Sequence, residues 1–442
     1  MTKSIHRYIL LSAILFCAFY HASAIEFAGA SQRVLEYAPV ASSGLDAVYV
    51  IPSSAGVSIS YDSDSPASVR WYRFSNLGAA YAEEIPATVD GRKTTVAASR
   101  GDMGYVIEEG SARRYFWVTD YSAHALRLES LVPSVEQDCD RARFLFSGDA
   151  SEIPYFGING RRCVLSRELT AEYSTLEFDG QTFAYAQTKK EEVLPSVGPE
   201  LIIDAPLCDT QVRLSGDRFL KEWGRDESVE STMLNAVAVA AETRATQNGT
   251  AADNQQRTEG ASLGGSAPCD ITFEAAVSDE AVFREWQISR DPEFGITENS
   301  FSDLVFDYSF REQGRMYVRF ICNNSAGTCE YAGPTYEIFI GESKLDIPNA
   351  FSPEGSPGVN DEWKVSYRSL VEYECHIFNR WGKELFSSRE PSEGWDGRYG
   401  GKYVPSGVYF YVIKAKGADG VEYNRSGDIN IIKYSAGQSV AE

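Results

Sequence analysis

Residues 407–433 read GVYFYVIKAKGADGVEYNRSGDINIIK, and they decide the fold. Val408 to Gly417 is a run of aromatic and β-branched residues that suits a strand. Ala418-Asp419-Gly420 is turn chemistry, and Val421 to Lys433 is the returning strand. Upstream, VEYECHIFNRWG (371–382) alternates. Val371, Tyr373, Cys375 and Ile377 fall on one face, with Glu372, Glu374 and His376 on the other. Gly382 ends that strand, ELFSS (384–388) is a short one, and EGWDGRYGGKYVPSG (393–407) is a turn-dense loop. IPNAFSP (347–353) is an extended opening held by Pro348 and Pro353. Together these predict a compact antiparallel sandwich of about seven strands over residues 343–434, followed by a tail, 435–442.

Moving toward the N-terminus, the strand signal persists. Residues 25–133 hold VYVIP, VSISYD, SVRWYRF, KTTVAAS, MGYVIEE and RRYFWVTDY, separated by Gly, Asp, Ser and Pro turns, and predict a β-sandwich with Trp71 in its core. Residues 134–206 form a smaller β block with hairpin turns at Asn159-Gly160 and Asp179-Gly180. Residues 207–342 form a third block, interrupted at about 228–267 by a stretch rich in Ala, Thr, Asn, Gln, Gly and Ser that predicts a flexible insertion. Its closing run, FDYSFREQGRMYVRFICNNSAGTC (306–329), resembles the last strands of a polycystic-kidney-disease-like or immunoglobulin-like domain. The order Cys269, Trp286, Cys322 is compatible with this. The expected fold class is all-β: tandem immunoglobulin-like or PKD-like sandwiches ending in a small antiparallel sandwich. Hydrophobic residues at 43% and aromatics at 12% supply the cores.

The chain has 442 residues, and Lys plus Arg number 41 against 63 Asp plus Glu, giving −22. That balance excludes nucleic-acid binding through a general basic surface. Residues 1–24 read as a secretory signal peptide: Lys3 and Arg7, an apolar run from Ile9 to Tyr20, then Ala22-Ser23-Ala24, with cleavage between Ala24 and Ile25. No later stretch is apolar enough for a transmembrane helix, so none is expected in the mature chain. An oxidising destination makes disulfides expected. Cys139–Cys163 and Cys208–Cys269 are the sequence-local pairings; Cys322 with Cys329, or Cys269 with Cys322, are the further options, and Cys375 is left as a buried thiol.

The C-terminal block also carries motifs in a fixed order: Ile347-Pro348-Asn349-Ala350-Phe351-Ser352-Pro353, Asn360-Asp361, Asn379-Arg380-Trp381-Gly382, Trp395-Asp396-Gly397, Pro405-Ser406-Gly407-Val408-Tyr409, and Gly427-Asp428. In these it resembles the gliding-motility-associated C-terminal domain, the type B sorting domain of the type IX secretion system of Bacteroidota. The resemblance implies a route: through Sec to the periplasm, then recognition of the folded domain by the outer-membrane translocon and its shuttle and attachment proteins. The cargo ends at the cell surface or outer membrane, or is released. Trp381, Trp395, Tyr409 and Phe410 are expected in the core, with Arg380 as an exposed contact. The family often has Asn-Gly-Asp-Gly in its first loop, where this chain has Glu354-Gly355-Ser356-Pro357-Gly358, so no metal is assigned there. The block carries 11 basic and 13 acidic residues over 345–433, whereas 25–344 carries 28 basic and 49 acidic. The acidity belongs to the passenger.

The passenger lacks the P-loop, zinc-protease and dinucleotide-binding motifs. His124 is its one histidine, and the pairs Glu83-Glu84, Glu108-Glu109 and Glu191-Glu192 point to opposite faces if they lie on strands. No catalytic residue and no cofactor is assigned. The expected passenger is a non-catalytic binding, adhesion or envelope-signalling module facing a surface ligand or signalling partner, and it loosely resembles PorA-like cargo. A secreted carbohydrate-active hydrolase and a structural surface component are the alternatives.

Overall fold

The computed structural model describes residues 25–98, 100–249, 251–260, 262–353 and 360–432. The expected signal peptide with Ala24, the variant loop at 354–358 and the tail at 435–442 lie outside these residues. The described chain is strand throughout apart from short helical turns; its one α-helix, Arg218–Glu222, is five residues long. No helix among the described residues is long and apolar enough to cross a membrane.

The first unit is two facing sheets. One has four strands and includes Ser58–Asp62 and Lys93–Ala97; the other has six, with Ala47–Ile51 and Ala112–Asp120 paired near its centre. Ser58–Asp62 alternates, so Ile59 and Tyr61 turn inward toward Trp71, Tyr105 and Phe116. The Trp71 indole donates to Thr94 Oγ1 across the sandwich at 3.0 Å, which satisfies its one polar atom inside the core. Ala47–Ile51 is buried at every position, because its sheet is covered on both faces. Tyr49 and Ile51 face the first core; Val48 and Val50 join a second core with Phe144, Tyr155 and Leu165 of the next unit.

That second unit extends beyond 206. Its long strand Leu169–Asp179 pairs with Arg213–Ser215, which in turn pairs with Ser228–Glu230. The block is expected to end at 206, but Val212, Leu214, Phe219 and Leu220 return to the same core. The first and second units are pinned by Arg167 and Asp217, whose side chains have 0% exposure. Arg167 donates to Asp217 Oδ2 at 2.7 Å, to Ser151 O at 2.6 Å and to His124 O at 2.6 Å. Tyr121 donates to the same Oδ2 at 3.0 Å, while Asp217 Oδ1 caps Arg218–Glu222 by accepting from Leu220 N at 3.0 Å. Each buried charge is therefore paired and hydrogen-bonded.

The third unit packs Ala241–Gln247, Cys269–Val277 and Val305–Phe310 against a sheet centred on Gly314–Asn323. Trp286 fills its core, 5.1 Å from Phe320 and 5.6 Å from Phe273. The disulfide expectation is overturned here. Cys139 of the second unit bonds Cys329 of the third across 190 residues, with Cα atoms 5.5 Å apart. Cys163, Cys208, Cys269, Cys322 and Cys375 are buried thiols. Nearness in sequence misleads because Cys163, Cys269 and Cys322 face the interiors of their own units. Burial pushes the Cys269 and Cys322 thiols up to about 11. Cys329 instead sits in a loop organised by Asn324, whose Oδ1 accepts from Thr328 N at 2.9 Å.

The expected flexible insertion is a second correction. Ala241–Gln247 and Leu263–Gly265 are strands of the third unit, and the polar stretch between them runs along the C-terminal domain, where Gln255 bridges Tyr367. Short polar side chains read as linker composition, yet here they bond backbone groups of a neighbouring domain.

The C-terminal domain is a five-stranded sheet, ordered Ala350–Phe351, Glu422–Ile431, Gly407–Gly417, Leu370–Phe378, Glu384–Ser388, with two small ribbons. Trp363 and Trp395 cover its inner face and exchange backbone bonds of 2.9 and 3.0 Å. At the start of this domain, Asp419 accepts from Ser343 N at 2.8 Å, Ser343 Oγ at 2.8 Å and Val421 N at 3.1 Å. Burial works against this charge, but those bonds outweigh it and hold the carboxyl below its ordinary range.

Two outcomes are expected. Arg167→Ala leaves Asp217 without its buried counter-charge and should cost about 3–5 kcal/mol, read from the urea midpoint. Because the folded Asp419 carboxyl is depressed, its contribution is complete above its unfolded value and lost as pH falls through the folded one. Protection of the Ser343 amide, corrected for intrinsic exchange, should hold above about pH 5 and fall below about pH 4.

Candidate functional site

The sequence motifs of the C-terminal domain divide into a scaffold and a rim. In the scaffold, Pro348 O accepts from the Trp363 indole at 2.7 Å, and Asn349 O accepts from Asn430 N at 2.9 Å. Phe351 packs on Trp395 at 5.6 Å, and Asn360 O accepts from Ser352 N at 2.9 Å, ahead of Asp361. Asp396 Oδ1 accepts from Arg398 N at 3.0 Å. Gly397 has φ +75°, and a Cβ there would lie 3.1 Å from Pro353 Cγ, so glycine answers both the turn and the close approach. Gly427 lies under the Tyr411 ring, where a Cβ would come within 2.7 Å of Oη, and Asp428 accepts from Asn430 Nδ2 at 3.1 Å.

The rim is built from two separate motifs. Asn379 Oδ1 accepts from Trp381 N and Lys383 N, both at 3.0 Å, and Gly382 N closes the turn on Asn379 O at 3.0 Å. This holds Trp381 at the tip of the hairpin between Leu370–Phe378 and Glu384–Ser388. Opposite, Pro405 O accepts from Tyr409 Oη at 2.7 Å, which fixes the loop leading into Gly407–Gly417. Between them lies a groove of about 330 Å³, lined by Arg380, Trp381, Leu385, Pro405, Val408 and Tyr409 among others. Motif residues that are far apart in sequence thus meet at one concave surface.

Trp381 is 75% exposed and Phe410 44% exposed, so neither is the core residue expected of it. Trp395 and Tyr409 are buried. A side chain at a hairpin tip cannot reach the interior, and the position of Trp381 directly before Gly382 was the available signal. Phe410 gave none, since Gly407–Gly417 is apolar on both faces near its start. Its outward residues Val408, Phe410 and Val412 are all exposed, and Phe410 lies opposite Phe378. These apolar positions escaped the sequence reading.

The rim is also cationic. The Arg380 guanidinium stacks on Trp381 at 4.2 Å, Lys383 on Tyr399 at 4.4 Å and Arg398 on Tyr403 at 4.3 Å. Asp396 and Glu384 lie close by; Asp396 is 3.7 Å from Arg398, and Glu384 pairs with His376 at 2.9 Å. In the passenger, by contrast, the Ser122 hydroxyl donates to Asp120 at 2.6 Å, while His124 is held by Asp102 at 2.5 Å. Serine and imidazole are each engaged with a different carboxylate, and this arrangement does not assemble a nucleophile with its base. Among the described residues no group of His, Cys, Asp and Glu is arranged to hold a metal.

Residues 345–431 match the CHU_C type IX secretion signal domain. This end of the chain is a type IX secretion signal domain. Residues 131–231 match a fibronectin type III domain. Similar solved structures include a tetra-tandem repeat from the extending region of a large adhesion protein, at 11% identity, covering 86% of this chain and 96% of that one with a TM-score of 0.21. The FN1–FN3 domains of chicken CNTN1 are 12% identical over 70% of this chain and 97% of theirs, with a TM-score of 0.24. The fibronectin(III)-like modules of Clostridium thermocellum CbhA are 11% identical over 45% and 100%, with a TM-score of 0.17. No curated protein matches the chain.

Scaffold and rim of the signal domain should separate in stability. Trp395→Ala removes a buried ring and should cost about 3–5 kcal/mol, whereas Trp381→Ala should stay within about 1 kcal/mol, both measured by denaturant melts of the full chain.

Proposed function

We propose that this protein is a cargo of the type IX secretion system whose signal domain is read at the Trp381 groove. The observation that carries the reading is the convergence of the Asn379–Gly382 and Pro405–Tyr409 motifs on one groove with an exposed, arginine-stacked indole. Its chemistry suits a partner that inserts an apolar side chain beside a carboxylate. Indole and guanidinium are the groups that most often anchor interfaces. The signal domain is nearly neutral while the passenger is strongly acidic, so an acidic receptor would be drawn to the rim and repelled elsewhere.

The passenger, in this reading, is a non-catalytic adhesion or binding module displayed at the cell surface after passage through the periplasm. The fibronectin type III match at 131–231 and the sandwich architecture of the flanking units favour it. The engagement of His124 and Ser122 with separate carboxylates also weighs against a hydrolase.

Arg380→Glu and Trp381→Ala, each made in the full chain and expressed in a host with a working type IX apparatus, test the reading. Protease accessibility on intact cells should fall at least tenfold, with the folded protein accumulating in the periplasm. Undiminished surface display of both variants would refute recognition at this groove.

A further inference from the structure

The polar segment between Ala241–Gln247 and Leu263–Gly265 makes contacts that a linker does not need. Gln256 N donates to Tyr367 O at 2.7 Å, and Tyr367 N donates to the carbonyl of Asn254 at 3.1 Å. Asn254 Nδ2 donates to Val365 O at 2.7 Å and Pro391 O at 2.8 Å, and Gln256 Nε2 donates to Ser366 Oγ at 2.7 Å. Strand Ser366–Arg368 is already paired on its other side with Lys344–Asp346. The passenger segment therefore closes an edge that the signal domain would otherwise present to any incoming strand.

Two further contacts flank it. Ser369 N donates to Ser266 Oγ at 2.8 Å, and Ala267 N donates to Ser369 Oγ at 3.3 Å, all within a buried seam. Next to this seam, Ala418 N donates to Ser369 O at 2.8 Å and Gln313 N donates to Ala418 O at 3.0 Å, beside the Asp419–Ser343 bonds. The attachments at Tyr367, Ser369 and Ala418 form one continuous seam between the passenger and the domain.

We propose that residues 251–258 are an intramolecular ligand of the signal domain. By strand addition they occupy the edge at Ser366–Arg368 and clamp the domain in one orientation, with the groove at the far pole. Strand Leu370–Phe378 measures this separation. Its Leu370 end lies beside the seam and its Phe378 end beside the Asn379 turn, eight steps of ~3.4 Å, or about 27 Å, away. The mode of contact is that by which folded domains bind extended peptides, with main-chain bonds for affinity and side-chain bonds for register. The clamp deepens the reading of the groove, since it leaves that pole for a receptor while shutting the edge against strand addition.

The test is hydrogen–deuterium exchange on the full chain carrying Asn254→Ala and Gln256→Ala. The Tyr367 amide should exchange about tenfold faster or more, as expected for losing a hydrogen bond of ordinary strength. The amides of Cys375 and Ile377, inside the five-stranded sheet, should keep their protection. Unchanged exchange at Tyr367 would overturn the clamp. Equal acceleration at Tyr367 and Ile377 would also overturn it, because the segment would then be part of the domain's own fold. Arg380→Glu and Trp381→Ala chains both exported normally, with Tyr367 still protected, would sink the groove and leave the clamp standing, so the two failures are distinguishable.

Discussion

A guanidinium with no exposure to water is tolerable only when each of its faces is answered, and Arg167 meets that condition by drawing on both of the first two units. Its partners are a carboxylate, Asp217, and two backbone carbonyls, one of which belongs to the loop after the first unit's last core strand. The six-stranded sheet makes this necessary. Ala47–Ile51 is apolar on both faces, so the first unit cannot be satisfied alone and must present its second face to another core. Arg167 and Asp217 then set the register in which the two cores meet. Hydrophobic burial supplies the attraction, while the buried pair supplies one geometry for it.

The later junctions solve the same problem by other means. The second and third units are joined by Cys139–Cys329, which closes a loop of 190 residues and by the chain-entropy account is worth about 5 kcal/mol. The third unit and the signal domain are joined by main-chain bonds at Tyr367 and Ala418 and by the Ser266–Ser369 seam. One junction is ionic and apolar, one covalent, one made of backbone pairing. A string of sandwiches with bare linkers would sample many arrangements. Here each junction has a specific chemistry opposing that freedom, and the signal domain is held at a defined attitude to its passenger.

Much of this was legible in the sequence, and the limits are physical. Strands and turns could be read because alternation and turn residues are local properties, so the all-β class and the sandwich of the last ninety residues followed directly. Trp71 and Trp395 were readable as core. The junctions were not, because they join residues far apart in the chain. Nothing local marks Cys329 as a partner of Cys139, and nothing marks Val212 and Leu214 as members of a core that starts before residue 50. The segment after Gln247 misled for a related reason. Asn, Gln and Thr are read as linker because they cannot build a core, but they are also the residues best able to bond another domain's backbone. The rim showed the converse failure: Phe410 sits in a strand apolar on both faces, where periodicity has no contrast to report.

The exposed indole is the feature that packing does not explain. A cation–π contact at the surface is worth only about 0.5–1 kcal/mol. That is too little to account for leaving a side chain of this size in water at a hairpin tip. The long-range field settles where such a group can be useful. Charges on exposed surfaces are screened beyond about 8 Å at physiological salt. A groove more than three such lengths from the clamped pole therefore feels its own Arg380, Lys383 and Arg398 and little of the acidic passenger. Had the domain been free to fold back on its neighbour, those cations would meet the passenger's carboxylates and the groove would be self-occupied. Holding the domain at the opposite pole keeps the aromatic and cationic rim available, which links the backbone pairing at Tyr367 to the chemistry at Trp381.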